Sequence, residues 1–310
     1  MKVAIIGVGT VGSAVATAVH TTGLFREMGL FDRDGIRSRV AAEDLGHAST
    51  FNFDIKITAV SNYRDIRGSD VVIIAAGKNQ KPGETRMDIV QANADVIRDI
   101  VPQVMANVHN KNVVLIVVTD PLDVMVMLAT DLAGLPTAQV VGTGTMLDSA
   151  RFKMELRRQL GVSAHSIQAC VVGEHGDSSV LNWSAVTIGG IPLDDFVKQT
   201  NNSLPATKRK TIEYRVHNAA YEIIQGRGAT WDGIGAVVAD LLRCIVNDEK
   251  RILPVSRVEG HGETAVAVSV PRVIGAAGVI DTLIPKMNKD ETKALQRSAA
   301  IIRQGYDSIK

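Results

Sequence analysis

The residue type best suited to proton chemistry stands in Val171-Val172-Gly173-Glu174-His175-Gly176-Asp177-Ser178, where a short apolar run ends in a histidine between glycines and beside acids. An imidazole titrates near neutral pH, so His175, held by a polar neighbour at a strand end, could give and take a proton. The flanking glycines let backbone or ligand come close. Asp148 and Arg151 stand three apart in Met146-Leu147-Asp148-Ser149-Ala150-Arg151-Phe152, which puts them on neighbouring faces of a helix. One could serve the imidazole and the other an anionic substrate. By type alone, a histidine or an acid–arginine pair more often serves structure, so the setting has to decide.

That setting begins at the N-terminus. Val3 to Ile6 is a β-branched apolar run, followed by Gly7-Val8-Gly9-Thr10-Val11-Gly12 and the small-residue stretch Ser13 to His20. Strand, glycine turn and helix come in the order a dinucleotide site requires. Gly7 allows the tight turn, Gly9 lets a pyrophosphate approach the backbone, and Gly12 lets helix and strand pack closely. A second strand, Gly29-Leu30-Phe31, ends in Asp32, twenty residues past Gly12, where a carboxylate can accept the ribose hydroxyls and repel a 2′-phosphate. NAD is therefore favoured over NADP, although Arg33 next door could accommodate that phosphate. A flavin or S-adenosylmethionine would also suit a fold of this kind.

Further strand-like runs at Ile55 to Val60, Val71 to Ala76, Val113 to Val118 and Gln139 to Val141 alternate with helical stretches at Ile36 to Leu45, Arg86 to Asn107 and Leu122 to Leu132. The alternation predicts a doubly wound parallel α/β sheet of the Rossmann kind over residues 1–142, with an α+β substrate domain over 143–310. Ligands of such sheets lie beyond the carboxyl ends of the strands. Three polar clusters fall there: Gly77 to Arg86, Thr119-Asp120-Pro121, and Gly142-Thr143-Gly144-Thr145. In the second half, Trp183 to Ile188 and Ala265 to Val270 read as strands. Lys208 to Ile224, Ile234 to Val246 and Lys289 to Arg303 read as helices.

The 310 residues are 45% hydrophobic and 22% charged, with a formal net charge of +1. This is enough for two domains, and it offers no basic field for nucleic acid and no polybasic face for a membrane. Cys170 and Cys244 belong to no metal-type spacing, so no metal is expected and a reducing cytoplasm suits them. Met1-Lys2 leads directly into Val3, which leaves no room for a cleavable leader. No apolar run approaches the ~20 residues of a membrane span.

Gly7-Val8-Gly9-Thr10-Val11-Gly12, Asp32, Gln80-Lys81-Pro82-Gly83-Glu84-Thr85-Arg86, Leu147-Asp148-Ser149-Ala150-Arg151-Phe152, Gly173-Glu174-His175-Gly176-Asp177 and Gly228-Ala229-Thr230 resemble, in order and over nearly the whole chain, the motifs of the L-lactate/malate dehydrogenase family. The resemblance implies hydride transfer between NAD and a small L-2-hydroxy or 2-oxo acid. It makes His175 the acid–base group and Asp148 its orienting carboxylate. Arg151 becomes a two-point clamp for the substrate carboxylate, and Arg86 a cation on a closing loop that polarises the carbonyl. Gln80, uncharged where malate-specific relatives carry arginine, implies a monocarboxylic acid, most simply lactate. Thr230 would lie beside the substrate side chain, and Ile234 under the nicotinamide. Thr10, Val11, Gly77, Val118 and Thr143 would complete the cofactor contacts. A homo-oligomer, dimer or tetramer, is also implied.

The sequence departs from that family at Asp120, where an asparagine amide would donate to the substrate oxygen. An ionised aspartate only accepts and would repel an anion. Asp232, two residues after Thr230, is a second departure. Lys153 and Gln168 replace the arginine and histidine through which many bacterial relatives bind fructose 1,6-bisphosphate, so strong activation by it is not expected. A branched 2-hydroxy acid or malate dehydrogenase, or a nucleotide-binding protein impaired in chemistry, remains compatible with these residues.

Overall fold

Short, mostly apolar strands of three to five residues set the frame of the molecule. The computed structural model describes residues 1–78 and 89–310. β1 (Lys2–Ile6) pairs in parallel with β2 (Glu27–Phe31) on one side and β4 (Val71–Ile74) on the other. β3 (Lys56–Val60) continues beyond β2, while β5 (Val114–Val117) and β6 (Val140–Gly142) continue beyond β4, all parallel. The central strands are buried at every position from Val71 to Ile74 and from Val114 to Val117, as expected where helices cover both faces.

Three helices flank the crevice and the centre of this sheet. α1 (Thr10–His20) buries Gly12, Val15, Ala16 and Val19, a stripe at helical spacing, against the sheet. α3 (Val90–Val108) contains Pro102. α4 (Leu122–Ala133) is buried at every position from Leu122 to Ala129, so it runs through the centre of the molecule. The observed helices and parallel strands match the predicted stretches, apart from helix positions 86–88, which lie outside the described residues.

The longest strands of the second half join this same sheet, while its short strands make two small sheets of three and two strands. β12 (Arg251–Glu259) lies antiparallel to β6, with Ser256 opposite Gly142, and β13 (Val266–Gly275) and β14 (Gly278–Thr282) follow it. One nine-stranded mixed sheet results, in the order β14-β13-β12-β6-β5-β4-β1-β2-β3. β12 was not expected, because Pro254 and the charged Arg257 and Glu259 break its apolar pattern. The proline is tolerated opposite a second one, Pro271. Trp183 to Ile188 is a strand only at Thr187–Ile188. Residues 183–185 turn as a 3₁₀ helix, with the Trp183 ring edge-on to Phe152 and its Nε1 donating to Glu213 at 2.8 Å. α5 (Met146–Leu160) packs on α7 (Ala206–Arg227), and α8 (Asp232–Val246) lies on α1. α9 (Lys289–Asp307) closes the chain behind a capping box at Asn288.

Candidate active site

β1 is the strand at which the sheet order reverses, and the glycine turn after it opens a crevice between β1 and β4. Gly7 has φ +94°, and a side chain there would strike Ala76 at 2.5 Å. A side chain on Gly12 would meet the Gly7 carbonyl at 1.8 Å. Gly9 is different: a Cβ on it would meet nothing within 4 Å, so this glycine faces open space. That space is a cleft of ≈ 530 Å³ lined by Gly7, Gly9, Thr10, Val11, Arg37 and Gly77. The amides at the start of α1 receive no side-chain cap, which leaves the positive end of the helix to a phosphate. Asp32 accepts from the Val8 amide at 3.0 Å and the Asp34 amide at 3.1 Å, so it is tied to the glycine turn itself. Among the described residues the cation paired with Asp32 is Arg37, at 4.0 Å, rather than Arg33. The cradle fits a dinucleotide.

Val11 and Gly77 also line an adjoining cavity with Asn93, Val118, Asp120 and Thr230. Thr143, buried after β6, donates its amide to Val117. Ile234 is half-buried near the start of α8, the helix in which a Cβ on Gly235 would lie 3.0 Å from the Ala14 carbonyl of α1. Asp232 is exposed and paired with Arg227 at 2.7 Å. Lys153 and Gln168 line a separate cavity. Arg86 and Gln80 lie outside the described residues.

α5 and the strand β8 (Val171–Val172) bring the remaining residues together. His175 Nδ1 lies 2.6 Å from Asp148 Oδ2, and Arg151 Nη1 donates to Asp148 Oδ1 at 2.8 Å. All three side chains are at most 13% exposed, so the pairing is little weakened by water. A carboxylate only accepts, so Nδ1 carries a proton, and Nε2 is left as the nitrogen at which a proton is exchanged.

The histidine loop is held amide by amide. Gly173 N–H donates to the Ser269 carbonyl of β13 at 2.8 Å, Glu174 N–H to Ser298 Oγ of α9 at 2.7 Å, and His175 N–H to Asp123 Oδ2 of α4 at 2.6 Å. Gly173 has φ +95°, and a Cβ on it would lie 2.7 Å from Ser298 Oγ, which explains the glycine before the Glu-His pair.

Two residues here were not singled out from the sequence. Asn93, 1% exposed, accepts from the Lys78 amide at 2.6 Å and donates to the carbonyls of Lys78 at 3.2 Å and Asp120 at 2.6 Å. It thereby ties the end of the β4 loop to the Asp120 turn. Asp123 is the other. Asp123 is a lone acid at the start of an apolar run in α4, whereas α3 carries several polar residues among which Asn93 does not stand out.

Comparison with known proteins decides the family. The profile of the lactate/malate dehydrogenase NAD-binding domain matches residues 1–142, and that of the lactate/malate dehydrogenase alpha/beta C-terminal domain matches residues 145–310. The chain belongs to the lactate/malate dehydrogenase family. The L-lactate dehydrogenase of Thermus aquaticus is 45% identical over 311 residues, covering 100% of this chain and 99% of that protein. The L-lactate dehydrogenase of Geotalea daltonii is 40% identical over 316 residues, covering 100% and 99%. The crystal structure of the minor L-lactate dehydrogenase of Enterococcus mundtii superposes with a TM-score of 0.92 at 33% identity, covering 100% of this chain and 98% of that one. The lactate dehydrogenase MGS-M5, from a Medee basin deep-sea metagenome library, gives the same TM-score and identity over 99% and 98%. As a lactate/malate dehydrogenase family member, the chain is an oxidoreductase that uses NAD. The Rossmann arrangement expected of its first half is the one observed.

Proposed function

We propose that the chain is an NAD-dependent L-lactate dehydrogenase, interconverting L-lactate and pyruvate. The observation that carries this reading is Asp148 accepting from His175 on one oxygen and from Arg151 on the other, within a full-length relative of L-lactate dehydrogenases. Bound NAD would supply or accept the hydride, and the chain's own residues handle the proton and the charge. Reducing a 2-oxo acid puts negative charge on its C2 oxygen, so a proton must arrive there, and His175 Nε2 is the donor. Asp148 holds the ring in the tautomer that allows this and stabilises the imidazolium. Arg151, anchored by Asp148 through one nitrogen, presents its remaining donors to the substrate carboxylate. Arg86 polarises the carbonyl, Gln80 reads the far end of the substrate, and Thr230 borders its side chain.

Residues 1–142 hold the cofactor through Gly7, Gly9, Thr10, Val11, Gly12, Asp32, Gly77, Val118 and Thr143. Residues 143–310 supply the substrate chemistry, together with Ile234 against the nicotinamide. A homo-oligomer is supported by apolar side chains left at the surface: Ile36 and Val40 on α2 (Gly35–Ser49), with Phe51 and Phe53 just beyond it. No described helix is long and apolar enough to cross a membrane. Cys170 and Cys244 are both unpaired, which suits the cytoplasm.

The test is NADH absorbance followed with pyruvate, branched 2-oxo acids and oxaloacetate. Pyruvate is expected to give the highest kcat/KM. A preference for oxaloacetate would overturn the monocarboxylic assignment.

A further inference from the structure

The peptide that carries His175 is gripped by a carboxylate with little access to water. Asp123, in the first turn of α4, is 2% exposed. Its Oδ2 accepts the His175 amide at 2.6 Å and its Oδ1 accepts the Ser256 hydroxyl at 2.5 Å. Ser256 is fully buried on β12, at the position that joins that strand to β6. A neutral side chain would make the same two contacts at a far smaller desolvation cost, so the geometry alone leaves the charge unexplained. Three charged groups act on it, from the histidine loop and from the sheet. The His175 imidazole attracts it and Glu174 repels it from the same loop, while Arg272, fully buried on β13, attracts it from the sheet.

Asp123 also stands three residues after Asp120, which lines the proposed substrate cavity. One short stretch of chain therefore borders the substrate and fixes the proton donor. We propose that Asp123 is a positioning residue that fixes the His175 peptide and whose negative charge helps the imidazole keep its proton. Burial raises its own pKa to about 7 against the opposing pull of the Ser256 and His175 bonds, so its charge changes in the range where an imidazole titrates. On gaining a proton Asp123 keeps a carbonyl oxygen with which to accept the His175 amide. The grip then persists while the charge goes, and the two roles are separable by substitution.

The inference rests on His175 being the acid–base group. The experiment compares the full-length wild type with Asp123→Asn, Asp123→Ala and Ser256→Ala. It records kcat/KM for pyruvate reduction against pH, with the His175 titration midpoint read by NMR on ¹³C-labelled histidine and assigned with His175→Gln. Asp123→Asn keeps the shape and the bond from the His175 amide, turns the Ser256 bond round so that the side-chain amide donates, and removes the charge. The alkaline limb of its profile and the His175 midpoint are expected to move to lower pH by about half a unit or more. Asp123→Ala, which releases the peptide, is expected to lower kcat by about tenfold or more at every pH. Ser256→Ala withdraws a bond that favours the charged form, so it moves the limb in the same direction by less, and it decides the matter if Asp123→Asn does not fold. Profiles and midpoints that superimpose on the wild type would overturn the inference. A wild type that reduces no 2-oxo acid sinks the functional reading instead, and the NMR midpoints still decide the role of Asp123.

Discussion

The imidazole of His175 is the side chain on which the proposed chemistry turns, and its removal should be felt in turnover and not in cofactor binding. His175→Gln is expected to lose about 10²–10⁴-fold in kcat while the NADH dissociation constant, read by fluorescence, stays within about twofold. Asp120 supplies a second prediction. Its side chain borders the cavity beside Thr119 and Thr230, where its charge would oppose an anionic substrate. Asp120→Asn is expected to raise kcat/KM for pyruvate by about tenfold or more, because an amide can donate where a carboxylate cannot. An unchanged kcat/KM would remove Asp120 from the substrate's surroundings. His175, Asp148 and Arg151 could be named from the sequence because they follow strand-like runs and stand in motifs that resemble the family's, not because of their types alone. Asp123 and Asn93 could not, because a buried polar residue declares itself only when its partners, 52 residues away at His175 and 15 away at Lys78, are brought alongside by the fold.

At the scale of elements, the turn between β1 and α1 makes a prediction that separates binding from folding. Gly9→Ala meets no neighbour, so the melting temperature should hold while NADH affinity falls by about tenfold or more, the new methyl occupying space meant for phosphate. Gly12→Ala drives a carbon into the Gly7 carbonyl, so both the melt and the affinity should fall. Equal behaviour of the two variants in thermal melts and NADH titrations would contradict this division of labour. The parallel strands were legible because continuous β-branched runs between glycine-rich turns have few alternatives. β12 was not, since Arg257, Glu259 and Pro254 interrupt it. Glu259 is held by Arg272, which donates to it at 3.1 Å and to the Val255 and Val268 carbonyls at 2.5 and 2.8 Å, and Arg257 donates to Thr137 Oγ1 at 3.1 Å. That network forms only once β12 and β13 are side by side.

For the molecule as a whole, Asp123 links proton binding to stability. Its folded pKa of about 7 lies above the ordinary 3.8, so between these values the native state holds a proton that the unfolded chain has released. The stability this group contributes is full below about pH 4 and is lost as pH rises through 7. Asp123→Asn cannot titrate. Its stability relative to wild type should therefore improve steadily from pH 4 to pH 8 in urea denaturation, and a difference independent of pH would show that the carboxyl titrates normally in the fold. The join between the two halves has a practical corollary. Ser256 faces Gly142 across the sheet, and the Thr145 amide donates to the Pro254 carbonyl at 3.1 Å, so severing the chain near residue 143 would strip the neighbour from β6 and from β12 together. Each fragment made alone would expose a raw strand edge and precipitate. Only co-production of the two pieces, reassembling along that seam, should return a working oxidoreductase.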